Sequence, residues 1–345
     1  MPMVEQIKIF GVALDALSSI ERVNLKQAYL HHVGNRSFTE EGFKDPYDFV
    51  KGMTDQVVLN NNIKWSGKIS VPSWLTPKPQ KSDSSRLSVG NLDKFLENDG
   101  CWDYALMIAD YISREIYPGM PVMIGVDHSL TGGSIMALTG KHPNLNVVIL
   151  DAHFDVMNNE RGYEADCQMN YYECGNFLDR LLEKKIISPE NLWILGVQDE
   201  IHREVKERRD LGGKLDRSLA SVKKWMEEGV HVVFKHEVQS GHFKLDLKGP
   251  TYLSIDMDVG SMSAIYSARF MNSFGLNTVE FLQLLQKVSR CIRSSRHPLV
   301  GLDVMEFDVH FFEAIKEKNI DDRTEEIVKE IFKLFIDENR CKCAS

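Results

Sequence analysis

The sequence predicts an α/β protein in three layers, with helices on both faces of a mainly parallel sheet. Short, almost wholly apolar runs recur along the chain, helical patterns lie between them, and several runs end in aspartate, glutamate or histidine. The first two observations imply βαβ crossovers. The third places chemistry where open parallel sheets hold their ligands, at the carboxyl ends of strands.

The predicted strands are IKIFGVAL near the N-terminus, MPVMIGV (120 to 126), NVVIL (146 to 150), LWILGV (192 to 197), HVVF (231 to 234), TYLSIDMD (251 to 258) and PLVGLDVMEF (298 to 307). Their lack of polar alternation marks strands covered on both faces. Helical patterns run over Asn176 to Lys185, Leu219 to Glu228 and Thr278 to Ser289, the last opened by the capping box Asn277-x-x-Glu280. From about Gly34 to Asn91 the rhythm breaks into the turn-rich SVPSWLTPKPQKSDSSRLSVGN, which reads as an insertion or lid-like excursion within a single domain spanning 1–345.

With 345 residues the chain can bury a sizeable core. Its net charge of -9, from 50 acidic and 41 basic side chains, argues against a nucleic-acid partner. No segment reaches the ~18 to 20 apolar residues needed to cross a bilayer, so no membrane partner is expected. Six scattered cysteines, with no disulfide spacing, point to a reducing cytoplasm. A homo-oligomer remains open.

Four strands end in chemistry: MPVMIGV in Asp127-His128-Ser129, NVVIL in Asp151-Ala152-His153-Phe154-Asp155, TYLSI in Asp256-Met257-Asp258, and PLVGLDVM in Glu306. While the chain stays extended, Asp151, His153 and Asp155 point to one side, and so do Asp256 and Asp258. Four carboxylates gathered in one cleft would be driven towards protonation unless cations neutralise them, and two divalent metals would do so. An oxygen-rich donor set with two imidazoles and no thiolate suits manganese better than magnesium, iron or zinc.

These motifs resemble those of the ureohydrolase family, which includes arginase, agmatinase and formiminoglutamase. Gly125-Val126-Asp127-His128-Ser129, Asp151-Ala152-His153-Phe154-Asp155, Ser254-Ile255-Asp256-Met257-Asp258 and Val304-Met305-Glu306 follow the family's order, as does Gly275-Leu276-Asn277 before a helix. The likeness covers roughly Pro121 to Phe312. It implies an arginase-deacetylase-like fold and two Mn2+ ions per chain, one held by His128, Asp151, Asp155 and Asp256, the other by Asp151, His153, Asp256 and Asp258. It further implies that a water shared by the metals attacks a guanidinium carbon, that Glu306 grips the guanidinium, and that Asp155 passes a proton to the leaving nitrogen.

The departures bear on substrate. Val259-Gly260-Ser261-Met262 replaces the family's Asp-Pro continuation, and Met157 stands where arginases carry an asparagine that recognises the free amino acid's carboxylate. Phe177-Leu178 replaces a common His-Gly, leaving His202, His236 or His310 as candidate substitutes for a proton-shuttling histidine. Tyr171, Tyr172 and Asn176 are further candidates for substrate contact. The pattern favours an arginine inside a peptide, converted to ornithine with release of urea. The alternatives are a free small guanidine, such as arginine or agmatine, a metal-binding regulatory module with decayed activity, and a one-zinc deacetylase.

Overall fold

Every residue of Met120–Gly125 (β3), Asn146–Leu150 (β4), Leu192–Val197 (β5), Thr251–Asp256 (β7) and Leu299–Met305 (β8) is buried, which demands cover on both faces. The computed structural model, which describes residues 6–35, 45–54, 62–156, 171–199, 217–310 and 320–337, supplies that cover. With Ile7–Val12 (β1), Ile63–Ile69 (β2) and His231–Phe234 (β6), these strands form one eight-stranded sheet in the order β2-β1-β3-β8-β7-β4-β5-β6. All neighbours pair in parallel.

Side chains alternating along each strand feed two cores. On one face Val122, Ile124, Val148, Leu150 and Leu253 meet Phe281, Leu284 and Val288 of helix Thr278–Ser294 and Ile327 and Ile331 of helix Thr324–Phe332. On the other, Met123, Val147, Ile149 and Tyr252 meet Tyr104, Ala105 and Ile108 of helix Gly100–Tyr111 and Ile135 of helix Thr131–Thr139. Those two helices approach closely at Gly133, where an added Cβ would lie 2.3 Å from the Ala105 carbonyl oxygen. The capping box forms as expected: Glu280 N donates to Asn277 Oδ1 at 3.1 Å and Asn277 N to Glu280 Oε2 at 2.9 Å.

Part of the stretch expected to be a lid-like excursion is instead built into the fold. Helix Pro46–Thr54 buries Phe49 and Val50, and β2 extends the sheet edge beside β1. The sequence IKWSGKI alternates as a half-covered edge strand does: Ile63 and Trp65 pack onto the core while Lys64 and Lys68 mark the edge. Its polar content separates it from the fully apolar strands, which is why it escapes a search for them. Among the described residues, no helix is long and apolar enough to cross a membrane.

Candidate metal centre

Strands β3, β8, β7 and β4 are consecutive in the sheet, so the four strand ends that carry chemistry are neighbours. Register aligns them further: Leu150 pairs with Ile255 and Asp256 with Met305, which sets Asp151 level with Asp256 and Glu306 one residue beyond them. Beyond the strands the chain does not stay extended. Asp127 Oδ1 accepts from Ser129 N (3.1 Å), Asp151 Oδ1 from His153 N (2.6 Å) and Asp256 Oδ1 from Asp258 N (2.8 Å). Each motif therefore begins with an aspartate that folds its own backbone into a tight turn. These turns, rather than strand alternation, bring the side chains together.

Two groups result, and Asp151 belongs to both. His128 Nδ1 lies 3.2 Å from Asp151 Oδ2, 2.9 Å from Asp155 Oδ2 and 3.0 Å from Asp256 Oδ2. His153 Nδ1 lies 3.4 Å from Asp151 Oδ1 and 3.1 Å from Asp258 Oδ2. Asp256 falls in the first group only, whereas the family pattern would have it bridge both. The His153 side chain keeps 32% of its surface exposed, so solvent reaches the cluster on its side. Asp155 (φ 48°) and Glu306 (φ 62°) hold left-handed backbone conformations, which non-glycine residues adopt only where surroundings impose them.

The donor set fits divalent cations. His128 Nδ1, Asp151 Oδ2 and Asp258 Oδ1 are buried, and no well-formed hydrogen bond among the described residues satisfies them. Burial pushes Asp155 and Asp256 well above the carboxylate range, and neighbouring carboxylates push them further; burial and Asp151 hold Asp258 at about 6 despite His153. Only Asp151 is held low, because His128 and His153 together outweigh its burial. A crowd of this kind resists full ionisation near neutral pH until positive charge enters it.

A buried chain of hydroxyls orients His128. Its Nε2 lies 2.9 Å from Ser254 Oγ, which donates to Asp303 Oδ1 at 2.5 Å; Thr131 Oγ1 (2.7 Å) and the Tyr252 hydroxyl also donate to Asp303. Burial pushes Asp303 upward, and these donors with His128 counter it. When ionised, Asp303 only accepts, so the Ser254 hydroxyl donates its hydrogen bond to Asp303 and accepts one from His128 Nε2–H. Against its burial, the carboxylates that face Nδ1 raise His128 and keep a proton there; with Nε2 already committed to Ser254, Nδ1 is the nitrogen that would be left to hold a metal in place of that proton.

Glu306 has a partner the sequence did not suggest. Arg269 Nε donates to Glu306 Oε2 at 2.6 Å and Nη2 to Oε1 at 2.7 Å, a two-pronged pair, while His128 N donates to Oε1 at 2.9 Å. Arg269 Nη1 also reaches Asp127 Oδ2 (3.1 Å) and Asp15 Oδ1 (3.5 Å). Asp15 in turn binds Arg22 and Lys26, and Arg22 reaches Asp308. Burial alone would raise Asp15, but Arg22, Lys26 and Arg269 hold it well below the usual carboxylate range. Burial lifts Glu306 to about 8 even though Arg269 opposes the rise.

Among the described residues, Tyr171, Tyr172 and Asn176 are buried beside the His128 turn. Tyr171 is buried, and Tyr172, also buried, spends its hydroxyl on the Ser129 carbonyl behind the His128 turn. Asn176 accepts from Glu173 N (3.0 Å) and donates to the Tyr171 carbonyl (2.8 Å), which makes it a staple of its own loop. His236 pairs with Asp199 at an exposed position, and His310 Nε2 donates to the Pro77 carbonyl oxygen (2.8 Å); neither joins the cluster. Met157 and His202 lie outside the described residues. Sequence reasoning missed Arg269, Asp303 and Asp15. Asp15 and Asp303 carried a usable signal, an acid inside or just past an apolar strand, whereas Arg269 lies in a loop with none.

A family model described as "Arginase family" matches residues 103–321. Formimidoylglutamase of Bacillus subtilis is 24% identical over 189 residues, which cover 55% of this chain and 54% of that protein. Arginase of Staphylococcus aureus (strain MSSA476) is 24% identical over 201 residues, covering 54% of this chain and 67% of the other. The match thus spans about half the length of the first of these relatives. The crystal structure of Trypanosoma cruzi formiminoglutamase with Mn2+ aligns with a TM-score of 0.57 at 14% identity, covering 96% of this chain and 92% of that one, a likeness of fold.

Proposed function

Because the chain belongs to the arginase family, we propose that it is a dinuclear manganese hydrolase that releases urea from a guanidino group, with arginine side chains of a peptide, converted to ornithine, as its substrate. The observation that carries this reading is the pair of carboxylate-imidazole groups joined at Asp151, with buried donor atoms that no hydrogen bond among the described residues satisfies. His128, Asp151, Asp155 and Asp256 would hold one cation, and Asp151, His153, Asp256 and Asp258 the other. When bound, such a pair neutralises the carboxylates and makes water acidic enough to attack near neutral pH. The donor set, with no thiolate in either group, favours manganese.

The chain's residues supply the rest. Glu306 orients a planar guanidinium through both its oxygens, the pairing that Arg269 makes on it. Asp155, beside His128 Nδ1, accepts a proton from the attacking water and hands it to the side-chain nitrogen as its bond to the guanidino carbon breaks. Water's oxygen leaves in urea and the side chain leaves as an amine. The peptide preference is supported by Met157 in place of the asparagine that reads a free amino acid's carboxylate. The cysteine pattern supports a cytoplasmic setting.

Urea release from arginine-containing peptides, free arginine and agmatine at equal concentration tests the substrate. Peptides are expected to react fastest, each converted arginine losing ~42 Da by simple stoichiometry. Reaction of the free compounds alone would assign a small-guanidine substrate instead.

A further inference from the structure

The carboxylate best placed to hold a guanidinium already holds one. Arg269 spans both Glu306 oxygens, its side chain is fully buried, and its backbone is fixed, since Arg269 N donates to the Glu306 carbonyl at 2.8 Å and Ala268 bridges Phe307. A carboxylate offers a single two-pronged face of this kind, so a second guanidinium cannot share it. The seat adjoins the cluster, because Glu306 Oε1 also takes the His128 backbone N–H.

Arg269 also has somewhere to go. Its Nη1 rests against Asp127 and lies 3.5 Å from Asp15, two buried acids on the side away from Glu306. A cation arriving at Glu306 could therefore be matched by a small shift of Arg269 onto Asp127 and Asp15, with no charge expelled from the interior. Phe270 neighbours both this seat and the cluster, its ring lying 5.0 Å from the Arg269 guanidinium carbon and 6.4 Å from the His153 ring.

We infer that Arg269 sets an affinity threshold at this site: it fills the guanidinium seat on Glu306 and yields it only to a guanidinium that is anchored elsewhere as well, as one borne on a peptide is. Displacing a resident ion weakens every incoming guanidinium by the same factor, because only the fraction of molecules with the seat open can bind. A small guanidine has few other contacts with which to offset that loss. A peptide has a whole backbone, and binding remote from the reacting carbon can be spent on opening the seat. The inference rests on the guanidine-hydrolase reading for the identity of the substrate, but the filled seat is tested without turnover.

The test is calorimetric binding of methylguanidinium, with neutral methylurea as control, to the full-length protein and to Arg269→Ala. The variant is expected to bind methylguanidinium about tenfold tighter than the unmutated protein or better, the scale of one charge-assisted pair, and to ignore methylurea. The gain should vanish in Arg269→Ala/Glu306→Gln. Equal binding by the unmutated protein and a folded Arg269→Ala would overturn the inference. If Arg269→Ala fails to fold, Arg269→Lys decides, because an ammonium keeps the charge but cannot span both oxygens; it should bind methylguanidinium several-fold tighter, and no gain would refute the filled seat. Should the gain appear while no guanidine yields urea, the seat stands and the hydrolase reading falls.

Discussion

Protein carrying Asp256→Ala is expected to release urea at no more than the background rate. Asp256 sits on the last residue of β7 with Oδ2 3.0 Å from His128 Nδ1, while its Oδ1 accepts from Asp258 N and so shapes the turn that aims Asp258. Alanine removes a charge from one group and loosens a member of the other. Asp256→Asn separates these effects, since its amide oxygen can still take the Asp258 N–H while the charge is gone. Without metal, losing one of several crowded carboxylates relieves repulsion, so Asp256→Asn should melt no lower than the unmutated protein. Added manganese should raise the melting temperature of the unmutated protein and not that of Asp256→Asn, because a ligand stabilises only the state that binds it. Metal-dependent turnover of Asp256→Ala within tenfold of the unmutated rate would refute the ligand assignment.

Asp15→Ala is expected to cost roughly 3 to 5 kcal/mol of stability, the scale for stranding a buried charge partner. Asp15 is fully buried and meets three cations: Arg22 at 2.7 Å, Lys26 at 3.2 Å and Arg269 at 3.5 Å. Burial already drives Lys26 down to about 8, so it cannot spare its partner. The sign of the pH dependence follows from the depressed value of Asp15. Its contribution is complete above its unfolded value of 3.8 and is lost as pH falls below it, so the deficit of Asp15→Ala shrinks in acid. Denaturant melts at pH 7 measure the cost, and a deficit under about 1 kcal/mol would mean the network is spread over other contacts.

How much of this was legible beforehand depended on whether a residue's role could be read locally. The fully buried strands announce themselves by composition, and Asp-x-His-x-Asp and Asp-x-Asp by spacing. Strand order was not legible: β8 lies between β3 and β7, and only that insertion sets Glu306 beside His128. The edge strand β2 escapes notice because Lys64, Ser66 and Lys68 interrupt its apolar residues, and turns formed by Asp127, Asp151 and Asp256 do what extended alternation was expected to do. Tyr171, Tyr172 and Asn176 are candidates for substrate contact by sequence, whereas their burial and the backbone partners of Tyr172 and Asn176 tie them to their own loop and to the His128 turn. Arg269 could not have been found at all without the fold, since its partners Asp15, Asp127 and Glu306 come from three separate strand ends.

The most direct measurement is the metal content of purified protein after equilibration with manganese and removal of the free ion. Two equivalents per chain, falling when Asp151 is replaced, would be the outcome expected of two groups that share that aspartate. Protein that retains no manganese, or retains it undiminished in Asp151→Ala, would contradict the account at its base.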